Sequence, residues 1–166
     1  MVILGIDPGL AIVGWGVIEY SGGRIRPVAY GSIQTPSTTK TEDRLVDIYC
    51  EMEKLIDKFK PDCLSVEELF WNTNQTTGIR VSEARGVILL SAAKKGIPIY
   101  EYTPLQVKQA VVGYGRAEKK QVISMVTMLL KLDKPPKPDD TADALAVAMC
   151  HAHSGASRLA DYYNKR

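Results

Sequence analysis

The chain has 166 residues, 45% of them hydrophobic and 24% charged, with a net charge of +2. That composition suits one soluble globular domain and excludes a disordered chain. No apolar run reaches the roughly 18–20 residues of a membrane span, and the amino-terminal MVILGIDPGL lacks the basic region of a secretory signal, so a cytoplasmic protein is expected.

Residues 2–7 form a near-continuous apolar run ending in Asp-Pro-Gly, which reads as a buried strand followed by a turn. Residues 11–20 read as a second strand. Ser21-Gly22-Gly23 is a hairpin signal, and residues 24–34 read as a third strand. Residues 41–60 repeat Leu45, Ile48, Met52, Leu55, Ile56 and Phe59 on one helical face, with Pro61 as a stop. Residues 63–67 predict a short strand, and 68–77 a polar loop. A helix is expected over 78–95, ended by Gly96. Residues 97–102 predict a fifth strand, and 104–112 a short helix with proline at its start. Further helices are expected over 118–132 and from about Asp140. The expected fold class is α/β: a mixed five-stranded sheet, three antiparallel strands then parallel ones, flanked by helices. It makes one domain over 1–155, with a polar tail at 156–166.

Three cysteines, Cys50, Cys63 and Cys150, match no disulfide or zinc spacing and are expected to be reduced thiols. Charge is unevenly spread. The first 79 residues hold 7 basic and 11 acidic side chains, net −4; the rest hold 14 and 8, net +6. A basic half suits a polyanionic partner, although solvated faces give the same count.

Four acidic positions fall where an α/β sheet opens its active site. Asp7 and Glu67 close predicted strands; Asp140 and Asp143 open the last helix. Several carboxylates share a site at low cost only around a cation, and oxygen donors suit Mg²⁺ or Mn²⁺. Two such ions about 3.5–4 Å apart support phosphodiester cleavage. Each position also has a plainer use. Asp before Pro-Gly starts turns, and acidic residues favour a helix N-terminus. Glu67 and Glu68 face opposite ways in a strand, so at most one enters a shared site. Asp139 is expected as the helix N-cap, but Asp143 shares a face with both Asp139 and Asp140. His151 and His153 are expected as favourable charges near the helix C-terminus rather than ligands.

GIDPGL, GWGVIE, VEELF, EARGV, QVKQAVVGYGRAEKKQV and PDDTADALAVAMCHAH follow one another in the order and spacing of the RuvC family of Holliday junction resolvases, which the chain resembles over about residues 1–153. The resemblance implies an RNase H-like fold and a homodimer. It implies symmetric nicking of four-way DNA junctions with Mg²⁺ or Mn²⁺, and a partner of the RuvA–RuvB branch-migration type. It places catalytic and metal-binding roles on Asp7, Glu67, Asp140 and Asp143, leaving out Asp139 and Glu68. It implies that Phe70 stacks near the crossover; Trp71 is less tied to the pattern. Lys108 and Lys119 match basic family positions. Arg80, Arg85, Arg116 and Lys120 lie in the same flanking segments and suit phosphate contacts. Apolar residues on several faces of the second helix (Val87 to Leu90, Ala92, Ala93) suit a dimer interface. Two other readings compete. A phosphate-loop ATPase of the actin and sugar-kinase type would need a second domain and nucleotide loop. A junction-binding module without catalysis would have no need of four filled acidic positions.

Overall fold

The computed structural model describes residues 1–69 and 75–155. The expectations for Phe70, Trp71 and the tail at 156–166 fall outside the described residues. Five strands form one sheet in the order β3-β2-β1-β4-β5: β1 (Val2–Asp7), β2 (Ile12–Ser21), β3 (Arg24–Gln34), β4 (Cys63–Glu67) and β5 (Ile99–Tyr102). The first three are antiparallel neighbours; β1–β4 and β4–β5 are parallel. This is the expected mixed sheet. Its two central strands, β1 and β4, end side by side, with Ile6 opposite Val66.

Helices α1 (Thr41–Phe59) and α2 (Gln75–Lys94) cover one face. There Ile48, Met52, Ile56, Ala84 and Ile88 pack on Leu4, Ile6, Val13, Leu64 and Val66. Helices α3 (Pro104–Val112), α4 (Lys119–Leu129) and α5 (Asp139–Gly155) cover the other. Both faces being covered explains why β1 and β4 are apolar at nearly every position. Among the described residues, no helix is long and apolar enough to cross a membrane.

Several boundaries move. Helix α2 starts at Gln75, three residues earlier than expected. Strand β5 starts at Ile99, because Ile97 N–H closes the end of α2 on Ala92 O at 3.1 Å. Helix α4 starts at Lys119, with Gln121 accepting from Glu118 N–H at 2.8 Å. It stops at Leu129 because Lys131 turns left-handed (φ 53°), Lys131 N–H reaches Met128 O and Leu132 N–H reaches Thr127 O. This Schellman closure uses up the last carbonyls. Asp139 is the first residue of α5 itself, not a cap outside it; Thr141 N–H bonds to Pro138 O at 3.0 Å.

Helix α5 lies unusually close to the sheet. Its inward side includes Ala144, Ala148 and Ala152, all fully buried. Opposite them, β1 and β2 present Gly5, Gly14 and Gly16. A Cβ at Gly5 would lie 2.2 Å from Ala144 O, and one at Gly14 would lie 2.0 Å from Asp140 O. The absent side chains bring the start of α5 down onto the strand ends.

His151 is a correction. It is not a charge at the helix end but a buried residue within α5, 3% exposed. Its Nδ1 hydrogen-bonds the Tyr102 hydroxyl at 2.7 Å, and its ring lies 4.3 Å from that of Tyr100. Burial pushes its pKa down to about 4, so it is neutral at physiological pH. His153, exposed in the last turn, keeps the expected position. Tyr102→Phe should cost about 1–2 kcal/mol by orphaning the imidazole nitrogen, with junction nicking unchanged. Urea denaturation beside a nicking assay checks this; unaltered stability would mean the bond contributes nothing.

Candidate active site

Strand alternation decides which carboxylates meet. On β1, Ile3, Gly5 and Asp7 face α5, while Leu4 and Ile6 face α1. On β4, Cys63 and Glu67 share the α5 face, while Leu64 and Val66 face away. Glu67 therefore faces α5, and Glu68, next along the chain, bonds through its N–H to Tyr102 O at 2.8 Å. Asp140 and Asp143 come from the first turns of α5, one helical turn apart. The four residues picked out by their positions at element ends thus converge on one side of the sheet.

Their charges are coupled. The Asp7 carboxyl is raised to about 8, first by burial and then by Asp143, Glu67 and Asp140, against a smaller lowering from Lys119. Glu67 is raised to about 7, by burial and then Asp143, with Lys108 and Lys119 opposing. Burial also raises Asp143, with Lys119 opposing it most. Lys119 Nζ lies 2.9 Å from Asp143 Oδ2. Burial works to lower the Lys119 pKa, but the hydrogen bond and charge of Asp143, with Asp140 and Asp139, outweigh it and raise it.

The cluster is short of positive charge. As the side chains stand, no three carboxylates, histidines or cysteines among the described residues close around one point. The Lys119 ammonium instead neutralises Asp143. The donor set is nevertheless all oxygen, and burial, then repulsion among the carboxylates, raises Asp7 to about 8 and Glu67 to about 7. Hard divalent cations fit such a set, because they relieve both costs at once.

Lys108 and Lys119 border the cluster in a groove of about 260 Å³, with Glu67, Asp143, Pro104, Val107 and Val122. Lys119 and Lys120 occupy the first turn of α4, which has no acidic residue. Cations are disfavoured at a helix N-terminus unless anions are near. Arg116 is exposed just before α4, and Arg80 is exposed on α2, beyond Asp140. Arg85 is placed otherwise than expected of a free phosphate contact. Its side chain is 16% exposed and ion-paired with Glu101. Gly5, Gly14 and Gly16 were missed as determinants of the site. The alternating GWG of β2 and the alanine-rich ADALAVA of α5 were the available signal.

Helix α2 buries Ala84, Ile88 and Ala92 but leaves a second stripe open: Ile79 and Leu90, each 54% exposed, with Gly86 and Ala93 between and beyond them.

The family model described as Crossover junction endodeoxyribonuclease RuvC matches residues 3–151. The chain is 59% identical over 155 residues to the crossover junction endodeoxyribonuclease RuvC of Alkaliphilus metalliredigens, covering 93% of this chain and 94% of that protein. It superposes on the solved structure of Thermus thermophilus RuvC with a TM-score of 0.86, at 34% identity, over 94% and 96% of the two chains. Against the T. thermophilus RuvC solved in complex with a Holliday junction substrate, the TM-score is 0.88 at 32% identity, over 96% and 98%.

Proposed function

The chain belongs to the RuvC family of crossover junction endodeoxyribonucleases, and we propose that Asp7, Glu67, Asp140 and Asp143 hold the divalent cations on which its cleavage depends. It is a Holliday-junction-resolving nuclease with an RNase H-like fold, and it hydrolyses DNA phosphodiester bonds. The match over residues 3–151 is to this nuclease family, which favours it over the phosphate-loop ATPase reading.

What supports the site assignment is the placing of four carboxylates at two adjacent strand ends and one helix start, on the α5 side of the sheet. Four carboxylates balance the charge of two divalent ions, so we infer two per site, Mg²⁺ in the cell with Mn²⁺ able to replace it. Bound there, the ions would supply Lewis-acid stabilisation of charge on the phosphate and leaving oxygen, and would lower the pKa of the attacking water. The chain's own residues do the rest. Asp7 and Glu67 would hold the cations as carboxylates, without the protons that burial favours in their absence. Lys119, paired with Asp143 at 2.9 Å, would be released to the substrate backbone beside Lys108. Arg116 and Lys120 extend that basic surface, and Phe70 would stack on a base at the crossover. Phosphate contacts of this kind give affinity without sequence preference.

Calorimetric titration with Mn²⁺ tests the ligand set. Two ions per protomer are expected, with affinity reduced by Asp7→Asn, Glu67→Gln, Asp140→Asn or Asp143→Asn and kept by Glu68→Gln and Asp139→Asn. Full binding by any of the first four, or loss in either of the last two, would overturn the assignment.

A resolvase must nick two strands of one junction, which a two-fold pair of sites does by symmetry. The uncovered stripe of α2, with Val46 of α1 59% exposed, is the surface we assign to the homodimer. Leu90→Glu should give a monomer by light scattering and lose paired nicking; a stable dimer with normal nicking would place the interface elsewhere. A branch-migration partner of the RuvA–RuvB type remains part of this proposal.

A further inference from the structure

The acidic cluster has a groove on each side. Glu67 and Asp143 border the groove of Lys108 and Lys119. Asp140 borders another, of about 510 Å³, walled by residues 8–12, Ser37, Val81 and two cations, Arg44 and Arg80. Nothing described so far gives Arg44 a task. It sits in the first turn of α1 and is 6% exposed. Its Nε donates to Thr35 Oγ1 at 2.8 Å, and its Nη2 reaches Thr35 O at 3.4 Å. The Thr35 hydroxyl donates in turn to Leu10 O at 2.6 Å. The guanidinium is thereby keyed to the turn that follows Asp7.

Those two contacts use a minority of its five N–H donors. Among the described residues, no carboxylate lies within ion-pair distance of it. A buried cation with no ion-pair partner is costly; Glu42 and Asp43 in the same first turn of α1 offset the positive helix end without pairing with it. The α1 cap position, Lys40, offers no side-chain acceptor there. A buried Arg that lines a groove, with a second Arg at its rim and a serine hydroxyl beside it, is built for an anion.

We propose that this groove binds a second phosphodiester of the cleaved strand, adjacent to the one at the carboxylates. Arg44 is the fixed anchor, Arg80 the outer contact and Ser37 a neutral donor. The inference rests on the phosphodiester-cleaving reading of the cluster. It makes Arg44 a positioning residue. The same guanidinium that grips the neighbouring phosphate is tied through Thr35 to Leu10, three residues from Asp7, so it sets where the scissile phosphate comes to rest.

The test uses synthetic four-way junctions in which one uncharged methylphosphonate linkage is moved stepwise along the cleaved strand. Junction affinity is measured for the wild-type protein, Arg44→Gln and Arg80→Ala. At one linkage next to the scissile one, the wild type should lose about tenfold, the size expected of hydrogen bonds to a charged group. Each variant should show a smaller penalty than wild type at that linkage while behaving like wild type at the others. A uniform loss by Arg44→Gln at every linkage would reduce Arg44 to a fold-supporting role and overturn the proposal. Should Arg44→Gln fail to unfold cooperatively, Arg80→Ala, altered at an exposed position, carries the same comparison, and a flat profile there overturns it equally. Nicking of the unmodified junction by the wild type is scored alongside. Its absence would count against the nuclease reading, whereas the affinity profile speaks to the groove alone.

Discussion

Asp7→Asn abolishes junction nicking and makes the metal-free protein more stable at pH 8. The two effects have one cause. The Asp7 carboxyl sits at about 8 in the folded protein against an ordinary 3.8, through burial and then through Asp143, Glu67 and Asp140. Between those values the folded state keeps a proton that the unfolded chain has released. The metal-free fold is therefore relieved of the charge at low pH and loses stability progressively as pH rises from about 4 to about 8. Glu67, raised from an ordinary 4.5 to about 7, adds to the loss between those two values. Asparagine fills the same space without the charge, so the unfolding temperature should rise by several degrees, at roughly 2–4 °C per kcal/mol for a chain of this size. Divalent cations should reverse the order, stabilising the wild type far more than the variant. Nicking should fall by at least about a hundredfold, because a cation ligand is gone, while junction affinity holds, because no phosphate contact is lost. Differential scanning calorimetry with and without Mg²⁺, beside gel-shift and nicking assays, reads all of this. A lower metal-free unfolding temperature for Asp7→Asn would mean that the carboxylates do not strain the fold.

The second large effect is expected far from any charge. In Gly14→Ala the new Cβ would meet Asp140 O at 2.0 Å and Asp140 C at 2.4 Å. Both are backbone atoms, so no side chain can swing away. The start of α5 must lift, carrying Asp140 and Asp143 with it. Overpacking of this kind costs about 1–3 kcal/mol. A displacement near 1 Å at the reacting groups costs about a hundredfold in rate. Urea denaturation and nicking rates of Gly14→Ala beside the wild type decide the matter. Wild-type nicking by Gly14→Ala would show that the carboxylates are not positioned by the close seating of α5.

The seam that this substitution disturbs marks the limit of what the sequence alone conveys. Strand ends and helix starts are local properties, so β1, β3, β4 and α3 fall where their patterns put them, and Asp7 and Glu67 come with them. Alternation along β4 also separates Glu67 from Glu68 without any structure. What stayed hidden depends on residues far apart in the chain. Gly14 matters because Asp140 lands on it. Arg85 is engaged because Glu101 stands across from it, and His151 is neutral because Tyr102 and Tyr100 enclose it. Nothing in the sequence marks Arg44, because its tie to Thr35 and Leu10 exists only once the β3–α1 connection has folded back. Spacing along a helix could not choose between Asp139 and Asp140 either. In the folded chain Asp140 acts on both Asp7 and Asp143, whereas Asp139 acts on Asp143 alone of these two.

The central claim is that these four carboxylates cleave branched DNA. The most direct measurement incubates the protein with a synthetic four-way junction and with a linear duplex of the same sequences, with and without Mg²⁺, beside Asp7→Asn. Paired symmetric nicks on the junction alone, dependent on the cation and absent from the variant, are the expected result. Equal nicking of the duplex, or nicks made by Asp7→Asn, would contradict the account.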